Sequence, residues 1–185
     1  MKTLYTIGHS TRTIEEFLEL LQAHHIQELV DVRTIPQSRH NPQFGQDQLQ
    51  TALTQAGIAY THQKNLGGLR HPSSDSINLG WQNLSFRGYA DYMATPEFQQ
   101  GLQELEDRAV KKTVAIMCAE ALWWRCHRSL IADALTVQSW QVLHIQSRKT
   151  AKPHELTSVL QVKDGNLTYP APAEGILNDK LIDTL

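Results

Sequence analysis

"VAIMCAEALWWRCHRSLIADAL", residues 114–135, passes from an apolar run into a helical pattern across a junction that holds Cys118, Glu120, Arg125, Cys126, His127 and Arg128. Val114 to Met117 reads as a buried strand, and Leu130, Ile131, Ala134 and Leu135 recur at helical spacing. One turn before that apolar face come Cys126 and His127. Helical side chains lean toward the N-terminus, so both are expected to look inward. A helix start also offers unpaired backbone N–H groups and positive dipole charge. Together with Arg125 and Arg128 this suits an anion and favours a cysteine thiolate.

The rest of the chain repeats the same grammar. "LYTIG" from Leu4 is a strand, and Thr13 to Glu16 is a capping box ahead of a stripe made by Ile14, Phe17, Leu18 and Leu21. "IQELVDVR" supplies a second strand, followed by a proline-punctuated loop from Ile35 to Gly45, long enough to carry function. A helix through Leu49, Ala52, Leu53 and Ala56 stops at Gly57 and leads into a third strand, "GIAYTH". The stretch around Gly67-Gly68 and Pro72 is an irregular, ordered excursion anchored by Trp81 and Phe86. Thr95-Pro96 then starts a helix carrying Phe98, Leu102, Leu105 and Ala109. "WQVLHIQ" is a fifth strand, and "LQVKDGNLTYP" is a hairpin turned at Asp164-Gly165.

These β-α units predict a three-layer, Rossmann-like α/β fold: a mostly parallel sheet, helices on both faces and a small C-terminal hairpin. The expected organisation is a single α/β domain over residues 1–169 and an appendage over 170–185. A chain of 185 residues can bury a core of its own. Its net charge of −2 gives no global pull toward DNA or an anionic membrane. No apolar run is long enough to span a bilayer, and "MKTLYTIGHS" lacks the apolar core of a signal peptide, so the expected setting is cytoplasmic, without membrane association. Two cysteines in a reducing compartment are free thiols, ligands or a redox pair before they are a framework.

In parallel sheets, ligands bind outside the carboxyl ends of the strands. Those ends carry Gly8-His9-Ser10, Asp31-Val32-Arg33, Gly67-Gly68 and Cys118-Ala119-Glu120, so distant polar clusters are expected on one rim. The catalytic candidates are Cys118, Cys126, Glu120 and His9, and the substrate-binding candidates are Ser10, Asp31, Arg33, Arg125, His127 and Arg128. Each also has a structural reading. Cys118 can be core packing, His9 a strand-end cap, Asp31 and Arg33 a structural pair, and Glu120 an acceptor for an arginine or a solvated carboxylate. The Cys-x7-Cys-His spacing matches no established zinc pattern, so neither metal nor cofactor is expected.

"TIGHSTRTIEEFLELL", "LVDVRTIPQSRHNPQF", "LGGLR", "FRGYADYM" and "MCAEALWWRCHRSLIADAL", in this order, resemble the domain of unknown function 488 family through His154. The resemblance implies an α/β domain with signature positions at His9, Ser10, Asp31, Arg33, Pro36, Cys118, Glu120, Cys126, His127 and Arg128. The family's function is itself not established. A looser similarity, in Asp31-Val32-Arg33 and Cys118, is to rhodanese and cysteine-phosphatase domains. Their anion loops are shorter, whereas six residues separate Cys118 from Arg125 here.

Three function classes stay open. A thiol-dependent enzyme acting on an anionic small molecule or nucleotide-like substrate would account for cysteine, acid and arginines on one rim. A nucleic-acid-binding or processing protein would use Arg12, Arg33, Arg39, Arg70, Arg87, Arg125 and Arg128 on phosphates, with Trp81, Trp123 and Trp124 for stacking. A non-catalytic partner-binding module would present exposed tryptophans as its contact patch.

Overall fold

The computed structural model describes residues 2–172. Five strands lie parallel: β1 (Thr3–Gly8), β2 (Glu28–Asp31), β3 (Ala59–His62), β4 (Val114–Cys118) and β5 (Gln141–Ile145). A short strand, β6 (Ala151–Pro153), adds antiparallel to β5, giving the order β3-β2-β4-β1-β5-β6. The expected hairpin is β7 (Gln161–Lys163) and β8 (Asn166–Thr168), with Asp164 and Gly165 both at positive φ as a tight two-residue turn requires. Most of the segment expected as an appendage lies outside the described residues.

Alternation along the strands divides the core in two. Leu4, Val30, Val114, Ile116 and Val142 point to one face, and Ile7, Leu29, Ala115, Met117 and Ile145 to the other. The first face is covered by α4 (Pro96–Ala109) through Phe98, Leu102 and Leu105, and by α5 (Arg128–Val137) through Leu130, Ile131 and Leu135. The second is covered by α1 (Ile14–Ala23) through Phe17, Leu20 and Leu21, and by α2 (Gln46–Gln55) through Leu49 and Leu53. Local signals set the helix ends. Thr13 and Glu16 form the reciprocal capping box, and Thr95 caps α4 with Pro96 in its first turn. Within the excursion lies a helix that sequence periodicity did not reveal, α3 (Leu84–Tyr92), capped by the Asn83 side chain; Trp81 stacks on Phe86 against it.

The chain leaves β1 through α1 on one face and leaves β4 through α5 on the opposite face, while β1 and β4 are neighbours. Their carboxyl ends therefore flank a topological switch point, the place where this sheet type opens a crevice. Gly8 stands opposite Cys118 in the register. The loop after β4 folds so closely over β1 that a Cβ at Gly8 would stand 2.0 Å from the Glu120 carbonyl oxygen.

That contact makes Gly8 a wedge point. Gly8→Ala should cost about 3 kcal/mol, because backbone on both sides would have to move. Gly57→Ala, at φ 73° with open space around it, should cost only about 1 kcal/mol. Urea unfolding of both variants checks the order, and a smaller loss for Gly8→Ala would contradict the close approach.

Candidate functional site

A cavity of about 520 Å³ opens at the switch point, lined from β1 by His9, Ser10 and Thr11, and from the loop after β4 by Cys118 to Ala121, Arg125, Cys126 and His127. Ser38, His40, Asn41, Gly68, Leu69, Ser85, Phe86 and Tyr89 close it from other loops and from α3. Seven of the ten expected site residues thus share one cavity: His9, Ser10, Cys118, Glu120, Arg125, Cys126 and His127. Asp31, Arg33 and Arg128 do not line it. They lie beneath it, 0%, 5% and 1% exposed.

The floor is built around sulfur. After β4 the chain makes a 3-10 turn at Trp123–Arg125, passes Cys126 in extended conformation and enters α5 at Arg128. The helix starts later than the apolar spacing suggests. The Cys126 amide already bonds the Trp123 carbonyl, and the Ser129 amide the Cys126 carbonyl. Those two donors are committed to the turn rather than free for an anion. His127 Nε2 lies 3.0 Å from the Val32 carbonyl oxygen and donates there, so Nδ1 is an acceptor in the neutral ring and a donor in the protonated one. That Nδ1 faces both thiols, 3.6 Å from Cys126 Sγ and 4.0 Å from Cys118 Sγ. Gly68 permits the ring's position, since a Cβ there would stand 3.0 Å from Nδ1.

Arg128 supplies the charge. Its Nε donates to Cys126 Sγ at 3.5 Å, one terminal nitrogen to Thr6 Oγ1 at 3.3 Å, and the other to the Glu120 carbonyl. None of these acceptors is a carboxylate. Burial opposes ionisation of Cys126, but the adjacent Cys118 thiol and the neighbouring His127 and Arg128 outweigh it, holding the Cys126 pKa well below the ordinary thiol value. The proximity of Cys126 and burial push Cys118 the other way, well above that value. The two sulfurs are therefore driven apart, Cys126 toward the thiolate and Cys118 toward the thiol.

His9 adds a base. Its Nδ1 lies 2.8 Å from the Ser10 carbonyl and its ring stacks on Phe44 at 4.3 Å, while Nε2 is buried without a partner among the described residues. Burial lowers its pKa below the usual histidine value, with Arg33 and Arg128 reinforcing and the Ser10 hydrogen bond and Asp31 opposing, so Nε2 is an unprotonated acceptor at neutral pH. Ser10, at φ 51°, turns the chain across the floor and bonds its amide to the Ala119 carbonyl. Glu120 is exposed on the rim and accepts from the Leu122 amide. Asp31 and Arg33 form a buried pair at 2.6 Å, with Tyr60 donating to Asp31, and they fix the end of β2.

Sequence reasoning missed what holds Arg128. Thr6 Oγ1 is 2.7 Å from His144 Nδ1, His144 Nε2 is 3.0 Å from His154 Nδ1, and His154 Nε2 is 2.9 Å from Asp133 Oδ1. Arg128 can only donate to Thr6 and the Asp133 carboxylate can only accept from His154, so a donor closes one end of the chain and an acceptor the other. Tyr169 and Thr157 complete the Asp133 carboxylate. A threonine in "LYTIG" and a histidine in "VLHI", polar residues inside buried strands, were the available signals.

The model of the domain of unknown function DUF488 matches residues 13–135, well over half of the chain. The chain belongs to this family. No curated protein and no solved structure gives a significant match. Among the described residues of this DUF488 protein, no helix is long and apolar enough to cross a membrane.

The site generates two predictions. Burial, with help from His154, Arg128 and Lys152, pushes His144 down to about 3. The unfolded chain titrates near 6.5, so between about pH 6.5 and 3 it takes up a proton that the folded protein refuses. Stability present above pH 6.5 should fall as the pH drops through that window. His144→Gln, with no ring to protonate, should show a shallower slope in urea midpoints measured between pH 7 and 4. The second concerns the thiols. Cys126 should consume iodoacetamide before Cys118 at pH 7. Cys118→Ala should slow it about tenfold by removing the S–H donor, whereas Cys118→Ser should retain most of the rate. Mass spectrometry of timed samples checks both, and equal rates in the two variants would show that the donor is irrelevant.

Proposed function

We propose that this cavity is the active site of a thiol-dependent enzyme acting on an anionic small molecule or nucleotide-like substrate, with Cys126 as the attacking sulfur. The observation that carries the reading is the buried Arg128 charge. It bonds a thiol, a hydroxyl and a carbonyl, leaving a cation beneath the floor with no carboxylate among the described residues to neutralise it. An anion above the floor, either the thiolate or a substrate group, is the natural counter-charge. Arg125 on the rim adds a solvent-facing cation, and Phe86, Tyr89 and Leu69 give an apolar wall for an organic body. His9 Nε2, buried and unpartnered, is placed to take a proton from substrate or water.

The nucleic-acid reading has less to draw on. Of its cations, Arg33 and Arg128 are buried; of its stacking groups, Trp81 packs on Phe86 and Trp123 on His144. Trp124 is the exposed member of that set.

The test uses protection of Cys126 from alkylation by inorganic phosphate, AMP, adenosine and a short single-stranded oligonucleotide. AMP should protect saturably and better than adenosine, and Arg125→Ala should weaken the protection several-fold. Equal protection by adenosine would remove the anionic requirement. Protection by the oligonucleotide alone would replace this reading with the nucleic-acid one.

A further inference from the structure

Three donor atoms on the cavity floor, Cys118 Sγ, Cys126 Sγ and His127 Nδ1, all lie within 4.8 Å of one another. The two sulfur-to-nitrogen distances are 4.0 and 3.6 Å. A tetrahedral zinc ion with its usual bond lengths would set such donors roughly 3.5 to 3.8 Å apart, so both sulfur-to-nitrogen distances already lie within about 0.5 Å of what it needs. The imidazole is prepared as a ligand requires. Nε2 is tied to the Val32 carbonyl at 3.0 Å, which fixes the ring and directs the Nδ1 lone pair to the sulfurs. The donors come from elements whose positions are already set: the end of β4 and the entry to α5, where the His127 ring sits between Tyr89 and Gly68. All three residues line the cavity, so a fourth coordination position faces the space that would admit water or an anion.

We propose that Cys118, Cys126 and His127 bind a thiophilic divalent cation of the zinc type, with two thiolates and one neutral imidazole as ligands and the fourth position facing the cavity. The two thiolates balance the cation, and the Arg128 N–H bonded to Cys126 Sγ stabilises the sulfur while leaving positive charge for an anionic fourth ligand. Sequence spacing gave no hint of this, because Cys-x7-Cys-His matches no recognised zinc pattern. The cation uses the same sulfur lone pairs as the proposed reaction, so the metal-bound and thiol-reactive forms exclude one another. The inference deepens the proposed function by naming what would control its nucleophile, and its test needs no turnover.

Cobalt(II) as the chloride salt, titrated anaerobically into the reduced full-length protein, reads the site directly. The expected result is one ion per chain, the strong visible absorption of tetrahedral cobalt and a near-ultraviolet sulfur-to-cobalt band, all abolished by stoichiometric zinc. Cys118→Ser and Cys126→Ser should each cut the sulfur band per bound cobalt to about half, and His127→Gln should weaken binding while sparing that band. His25→Gln serves as a surface control and should change nothing. A weak octahedral spectrum without a sulfur band, or a band indifferent to both cysteine substitutions, would overturn the site. A second measurement holds even where a serine variant does not fold: one equivalent of zinc should block iodoacetamide at both thiols of the wild type, and EDTA should restore it. Undiminished alkylation in zinc would also overturn the proposal. AMP protection is measured on the metal-free protein, so loss of either result leaves the other standing.

Discussion

A guanidinium with 1% of its surface exposed is costly to bury, and the interior around Arg128 is arranged to hold it. Its partners come from three separate pieces of chain: the middle of β1, the loop after β4 and the segment entering α5. Through Thr6 the same group reaches His144 on β5, then His154, and finally Asp133 inside α5 itself. One cation thus ties together the two central strands, the crossing helix and the sheet's antiparallel edge. The sulfur beneath the cavity takes its electrostatic character from the same residue.

Topology explains why the site is where it is. With α1 leaving β1 on one face and α5 leaving β4 on the other, the carboxyl ends of two adjacent strands have no helix packed between them. Backbone contact replaces it. The His9 and Ser10 amides bond the Cys118 and Ala119 carbonyls, extending the β1–β4 ladder past the sheet and forming a rigid shelf. Gly8 allows the loop above that shelf to come down, and this closeness brings the Glu120 carbonyl within reach of Arg128.

Much of the fold was legible because its signals are local. The Thr13 capping box, Thr95-Pro96, the Asp164-Gly165 turn and the apolar strands each act over a few residues. The parallel order followed from repeated β-α units. The rim was legible too, since strand ends in such a sheet converge whatever their sequence separation. What escaped were features decided by tertiary contact. Asp31 and Arg33 could be read as substrate ligands or as a structural pair; Arg33 folds back on Asp31 and both go under the floor, a choice that Tyr60 and burial make and spacing cannot reveal. Arg128 looked like a solvent-facing anion binder for the same reason. Helix α3 was hidden because Leu84 is exposed and Gly88 packs against the Arg70 and His71 backbone, which blurs the apolar period. Phe44, the plate under His9, sits in a polar loop where nothing periodic marks it.

The cavity's floor and roof differ in kind. The floor consists of strand ends and their backbone extensions, where one residue's displacement would disturb the register of β1 and β4. Its roof comes from Ser38, His40, Asn41, Leu69, Ser85 and Phe86, on loops and on the first turn of α3. Exposed loops change length and side chains at little thermodynamic cost. Divergence among related chains can therefore proceed by re-roofing: the shape of the mouth changes while the sulfur-bearing floor below is kept.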